Sequence, residues 1–158
     1  MKHRATILAG GNVGDTAEVF RRAERLLEEQ GVAIVARSHT FESEAWGFES
    51  EQKFLNYTFE VEVAMGCEAL LEKLQEVEEL LGRNRAEEQQ RKESSGERYA
   101  SRTIDLDIMF FEEEHIKTER LSVPHPLIME REFAIVPLCD LMGCTRKALK
   151  DKIERIER

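Results

Sequence analysis

Arg102-Thr103-Ile104-Asp105-Leu106-Asp107-Ile108-Met109-Phe110-Phe111 is a β-forming apolar run interrupted by two aspartates one residue apart. In a strand, alternate side chains share a face, so Ile104, Leu106 and Ile108 turn to a core while Asp105 and Asp107 project together on the other side. The two carboxylates then stand roughly 6.6 Å apart, at about 3.3 Å of rise per residue. Like charges side by side repel, and one or two Mg²⁺ ions would bridge that span. Only five of the 32 acidic residues are aspartates (Asp15, Asp105, Asp107, Asp140 and Asp151), yet two of them share this strand. The plainer reading is an exposed strand face with two solvated acids, so the pair needs support from its surroundings.

Upstream, Thr6-Ile7-Leu8-Ala9-Gly10 reads as a first strand, and Gly10-Gly11-Asn12-Val13-Gly14 as a tight turn. Asp15 or Thr16 can cap a helix with Val19, Phe20, Ala23, Leu26 and Leu27 at helical spacing, ended by Gly31. Val32 to Ser38 predicts a second strand and Phe54 to Val63 a third, in which Tyr57, Phe59, Val61 and Val63 alternate with polar neighbours. The connection between them holds the only tryptophan, Trp46. Glu68 to Leu81 is an amphipathic helix with Leu70, Leu71, Leu74, Val77, Leu80 and Leu81 as its stripe and Gly82 beyond it; Gln75 and Glu78 share a polar flank.

From Gly82 to Ser101 only Ala86, Tyr99 and Ala100 are apolar. The expectation is a long mobile loop at about 83–101 that acts as a lid, against the alternative of a charged helical extension. The strand from Thr103 to Phe111 follows, then Val123-Pro124-His125-Pro126, a helix from Glu130 to Leu141 and a last one from Thr145 with Leu149, Ile153 and Ile156 inward. The order β-α-β-β-α-β, with helices after it, predicts an α+β ferredoxin-like sandwich with an antiparallel sheet covered on one face or both.

At 158 residues, 41% apolar and 35% charged, the expectation is one globular domain over residues 1–158. No stretch has the length of a signal h-region or a membrane span, so a cytoplasmic protein is expected. Three cysteines (Cys67, Cys139 and Cys144) without a CxxC spacing suggest neither a disulfide framework nor a zinc site. A net charge of −9 disfavours nucleic acid as a partner. Locally the balance reverses: Arg83, Arg85, Arg91, Lys92, Arg98 and Arg102 outnumber four glutamates and run straight into the aspartate strand, which suits a small polyphosphate. Carboxylates for metal, arginines on the approach and a glycine-rich turn point to phosphoryl or nucleotidyl transfer, where positioning and charge neutralisation dominate.

Together with Leu121-Ser122-Val123-Pro124-His125 and Arg131-Glu132-Phe133-Ala134, the aspartate strand resembles the signature region of the 6-hydroxymethyl-7,8-dihydropterin pyrophosphokinases. The resemblance extends to Gly10-Gly11-Asn12, Phe54-Leu55-Asn56 and Gln75 to Arg85, in the family's order, and so covers Thr6 to about Leu138. It implies transfer of pyrophosphate from ATP to the hydroxymethyl group of a reduced pterin, with release of AMP, in folate biosynthesis. Asp105 and Asp107 would bind two Mg²⁺ ions. Asn56 would hydrogen-bond the pterin edge with Phe54 beside it, Phe133 would stack on the ring, and Ser43 and Trp46 would line the pocket. Gln75, Glu78, Arg85, Arg98, Arg120, His125 and Arg131 would bind ATP, and Arg83 and Arg102, with Asp107, would serve the transfer itself. A monomer acting on these two small molecules is expected. Departures from the family's pattern are Tyr99 in place of tryptophan, Pro126 after His125, Phe54 in place of tyrosine, Glu44-Ala45 in place of a proline-containing pair, and a longer stretch from Arg85 to Arg98.

The competing classes are a polymerase-palm-like nucleotidyltransferase or nuclease, a sugar-nucleotide transferase with the same carboxylate pair, and a non-enzymatic ligand-binding module. Acidity disfavours a nucleic-acid substrate, and an amide among aromatic side chains favours a small planar heterocycle.

Overall fold

The computed structural model describes residues 1–12, 15–43, 54–82 and 104–158. Its strands are β1 (His3–Gly11), β2 (Ala33–Arg37), β3 (Phe41–Ser43), β4 (Phe54–Val63), β5 (Asp105–Phe111), β6 (Ile116–Lys117) and β7 (Ser122–Val123), and its helices are α1 (Thr16–Glu29), α2 (Cys67–Leu80), α3 (Glu132–Met142) and α4 (Arg146–Glu157). The main sheet runs in the order β2-β4-β1-β5, with β3 also on β4, and its pairings are antiparallel. This is the α+β ferredoxin-like arrangement that the element order predicts.

Local signals fix the helices. Asp15 accepts the Glu18 N–H at the start of α1, and Thr145 accepts the Ala148 N–H at the start of α4. At the end of α3, Gly143 adopts a left-handed conformation (φ 61°), its N–H bonding Asp140 and the Cys144 N–H bonding Cys139, the paired hydrogen bonds of a Schellman motif.

Period-two patterning divides the sheet between two cores. Ile7, Ala9, Tyr57, Phe59, Val61, Leu106 and Ile108 face α1 and α2, meeting Phe20, Ala23, Leu27, Leu70, Leu74 and Val77. The opposite face is covered by α3 and α4, where Leu8, Met109 and Phe110 pack on Ile135, Leu138, Leu149 and Ile153. Each fully buried large side chain contributes about 1.5–3 kcal/mol of transfer free energy.

Several expectations change. Leu80, assigned to the stripe of α2, is 63% exposed, because at about 100° per residue it falls on the rim of the face that Leu70, Leu74, Val77 and Leu81 bury. Glu78, assigned to the polar flank, is buried. The strand β3 and the β6–β7 hairpin are additional elements, each too short to show an alternating pattern. The expected lid at 83–101 lies outside the described residues.

Candidate active site

The sheet's register creates the site. Gly10 on β1 pairs with Asn56 on β4 to one side and with Asp105 on β5 to the other; two residues back, Leu8 pairs with Thr58 and with Asp107. Side chains directly opposite in antiparallel strands share a face, so Asn56, Asp105 and Asp107 project together. Strands lie about 4.8 Å apart, which sets the backbones of Asn56 and Asp105 roughly 10 Å from one another with only Gly10 between. A β-carbon on Gly10 would overlap the Asn56 amide nitrogen, so glycine is what lets that amide lie across β1. Asn56 is 7% exposed, whereas both aspartates are half-buried at the sheet's end. Beneath this row the Thr58 hydroxyl donates to the Pro137 carbonyl at 2.8 Å, tying β4 to α3.

On the opposite edge of β5, the Leu106 N–H donates to Glu78 Oε2 at 2.7 Å. The short charge-assisted bond grips the strand between its two aspartates.

His125 comes from the segment after β7, following the cis Val123–Pro124 peptide. Its backbone N–H donates to the Met109 carbonyl at 2.9 Å, fastening it to β5 two residues past Asp107. The Leu127 N–H donates to His125 Nδ1 at 3.1 Å, which assigns the ring proton to Nε2. Burial, and then the Arg131 charge, hold its pKa below the ordinary imidazole value, while Asp105 pulls the other way. The ring is therefore a neutral Nε2–H donor in the electrostatic neighbourhood of Asp105 and Arg131. The Arg131 guanidinium lies 5.5 Å from the Phe133 ring centroid, a cation–π contact at the start of α3.

The donors suit Mg²⁺. Two carboxylates on one face of the sheet are hard oxygen donors of the kind Mg²⁺ takes, alongside water and phosphate oxygens. A closed zinc site would need four protein ligands.

Residues 6–143 match the family described as 7,8-dihydro-6-hydroxymethylpterin-pyrophosphokinase. The chain belongs to this family. A Bacillus subtilis 2-amino-4-hydroxy-6-hydroxymethyldihydropteridine pyrophosphokinase is 36% identical over 142 residues, 89% of this chain and 79% of the relative. An Aquifex aeolicus protein of the same name is 36% identical over 132 residues, covering 84% and 76% respectively. An Arabidopsis thaliana folate synthesis bifunctional protein is 33% identical over 147 residues, and the chain spans only 28% of its length. Among solved structures, a Plasmodium falciparum HPPK-DHPS chain superposes with a TM-score of 0.65 at 15% identity, over 96% of this chain and 44% of that one, a likeness of fold. As a pterin pyrophosphokinase the chain transfers pyrophosphate from ATP to 6-hydroxymethyl-7,8-dihydropterin in folate biosynthesis.

The expected pyrophosphokinase site residues fall into three groups. Asn56, Asp105, Asp107 and His125 come together at one end of the sheet, with Arg131 and Phe133 at the adjoining start of α3; Ser43 and Phe54 are a register pair at the start of β4. Arg120 stands apart, within 3.5 Å of Glu68 and 3.7 Å of Glu72. From Glu68 to Glu78 is roughly 15 Å along α2 at 1.5 Å per residue. Gln75 is half-buried on α2, while Glu78 is turned inward onto Leu106. Trp46, Arg83, Arg85, Arg98 and Arg102 lie outside the described residues, as does Tyr99. What sequence reasoning missed is the Asn56–Gly10–Asp105 row: Gly10 reads as a turn former, and its cross-strand neighbours emerge only from the register.

Proposed function

We propose that the pyrophosphokinase reaction is Mg²⁺-dependent and takes place over Gly10, between the Asn56 amide and the Asp105–Asp107 pair. The observation that carries this reading is the three-strand row, which places one amide and a carboxylate pair on a single face with only the side-chain-free Gly10 between them. Asn56 supplies a donor and an acceptor to the pterin edge and so orients the hydroxymethyl group toward the aspartates. Phe133 offers an aromatic face for the ring, with Phe54 and Ser43 at the pocket's side.

Asp105 and Asp107 would hold two Mg²⁺ ions, and such ions would supply charge neutralisation for the triphosphate and a lowered pKa for the attacking hydroxyl. His125, neutral and protonated on Nε2, donates a hydrogen bond to a phosphate oxygen without adding charge, and Arg131 supplies the positive charge. Gln75, Arg85, Arg98 and Arg120 are assigned to ATP, and Trp46, Arg83 and Arg102 to the pocket and the transfer, by family resemblance alone. In the same reading the chain acts as a monomeric single domain in the cytoplasm; among the described residues no helix is long and apolar enough to cross a membrane.

The test is product analysis with ATP, Mg²⁺ and 6-hydroxymethyl-7,8-dihydropterin, with AMP separated from ADP. AMP should form only when pterin and Mg²⁺ are both present, and Asp107→Ala should fold yet lose at least 10³-fold in turnover, about 4 kcal/mol of transition-state stabilisation. Turnover of D107A at the wild-type rate with unchanged Mg²⁺ dependence would remove the metal assignment.

A further inference from the structure

Glu78 is 1% exposed, and its Oε2 accepts the Leu106 N–H at 2.7 Å. An interior carboxylate carries a desolvation cost, and this one also sits in the last turns of α2, where the helix dipole disfavours negative charge. Leu106 separates the two aspartates, and among the described strands β5 pairs only with β1, so at Leu106 its other edge is held by a side chain rather than by a strand. Glu78 takes that place with an acceptor stronger than a neighbouring carbonyl.

We propose that Glu78 is a positioning residue for the metal-binding pair: its carboxylate pins Leu106 and thereby fixes the spacing and orientation of Asp105 and Asp107. The proposal rests on the assignment of those aspartates as Mg²⁺ ligands. It departs from the role in ATP contact that the family resemblance implies for this glutamate.

The geometry separates two ways of changing the side chain. Glu78→Gln keeps an oxygen acceptor of the same reach, whereas Glu78→Leu keeps the volume and leaves the Leu106 N–H without its partner. Three quantities are read on folded protein: Leu106 amide exchange by NMR, Mn²⁺ affinity by titration with protein alone, and the dissociation constant of ATP in EDTA. In E78L, Leu106 exchange should accelerate by at least 100-fold and Mn²⁺ affinity fall by at least ten-fold. ATP binding without metal should stay within two-fold, and E78Q should recover most of both losses.

In turnover assays E78L should lower kcat and raise the half-saturating Mg²⁺ concentration with little change in the pterin KM. Unchanged Leu106 exchange and Mn²⁺ affinity in E78L would overturn the proposal. So would an equal weakening of metal-free ATP binding in E78Q and E78L, the mark of a nucleotide ligand. If E78L does not fold, Glu78→Asp replaces it, since the side chain shortened by one methylene withdraws the carboxylate from Leu106. Exchange and Mn²⁺ binding need no substrate, so a wild-type protein that made no AMP would overturn the reaction while leaving the positioning role to be judged on its own readouts.

Discussion

Gly10 is where one missing methyl group makes room for a neighbouring amide. Its backbone is an ordinary part of β1, so the requirement is for space: a β-carbon would occupy the position of the Asn56 amide nitrogen. Gly10→Ala should leave the sheet folded and push the Asn56 side chain off its position, weakening pterin binding about ten-fold, or about 1.4 kcal/mol, with ATP affinity within two-fold. A double-mutant cycle with Asn56→Ala makes the test specific. If Gly10 acts through Asn56, the alanine at position 10 should cost almost nothing once the amide is gone, whereas additive losses would show that Gly10 touches substrate or backbone independently. The aspartates could be read directly from the chain because period two is a local property of five residues. The partnership of Gly10 and Asn56 could not, because it depends on pairing between strands 46 residues apart in sequence.

At the scale of elements, the end of α3 holds the approach to β3. Asp140 Oδ2 accepts the His39 backbone N–H at 2.7 Å and lies 3.0 Å from His39 Nδ1, so the turn that closes α3 is tied to the link between β2 and β3. β3 pairs Phe41 with Asn56 and Ser43 with Phe54, which makes this tie part of the frame around the amide. The two bonds from His39 hold the Asp140 pKa below the ordinary aspartate value. A carboxylate whose pKa is lowered on folding stabilises the native state above its unfolded pKa, and that contribution is lost as pH falls through the folded value. The melting temperature of wild type should therefore fall more steeply on acidification below about pH 4 than that of Asp140→Asn, which keeps an acceptor but cannot titrate. Parallel acid limbs would show that the tie contributes nothing to stability. Helices and longer strands were legible because their apolar periods run over five residues or more. β3 was not, since three residues carry no period and its place is set by β4.

Across the whole molecule, stability and chemistry occupy different parts of the sheet. Both cores are apolar: one lies under α1 and α2, the other under α3 and α4, and neither contains Asp105 or Asp107. The fold class was legible because these cores follow from strand and helix patterning. Which residues meet at the sheet's end depends on how β1 lies between β4 and β5, a property of the assembled sheet. This separation predicts how the molecule responds to metal. Nothing in either core depends on a cation, while the two carboxylates repel each other when none is bound. Chelation with EDTA should abolish turnover but leave the melting temperature of the substrate-free protein within about 1 °C. Asp107→Asn, which removes one of the like charges, should melt at or slightly above the wild-type temperature in EDTA. Adding Mg²⁺ and a nonhydrolysable ATP analogue should reverse the order: binding to the native state alone stabilises by RT ln(1 + [L]/Kd), about 2.7 kcal/mol at a hundred times Kd, and D107N should miss most of that gain. A fall of several degrees in the substrate-free wild type on chelation would mean that the cation belongs to the fold as well as to the reaction.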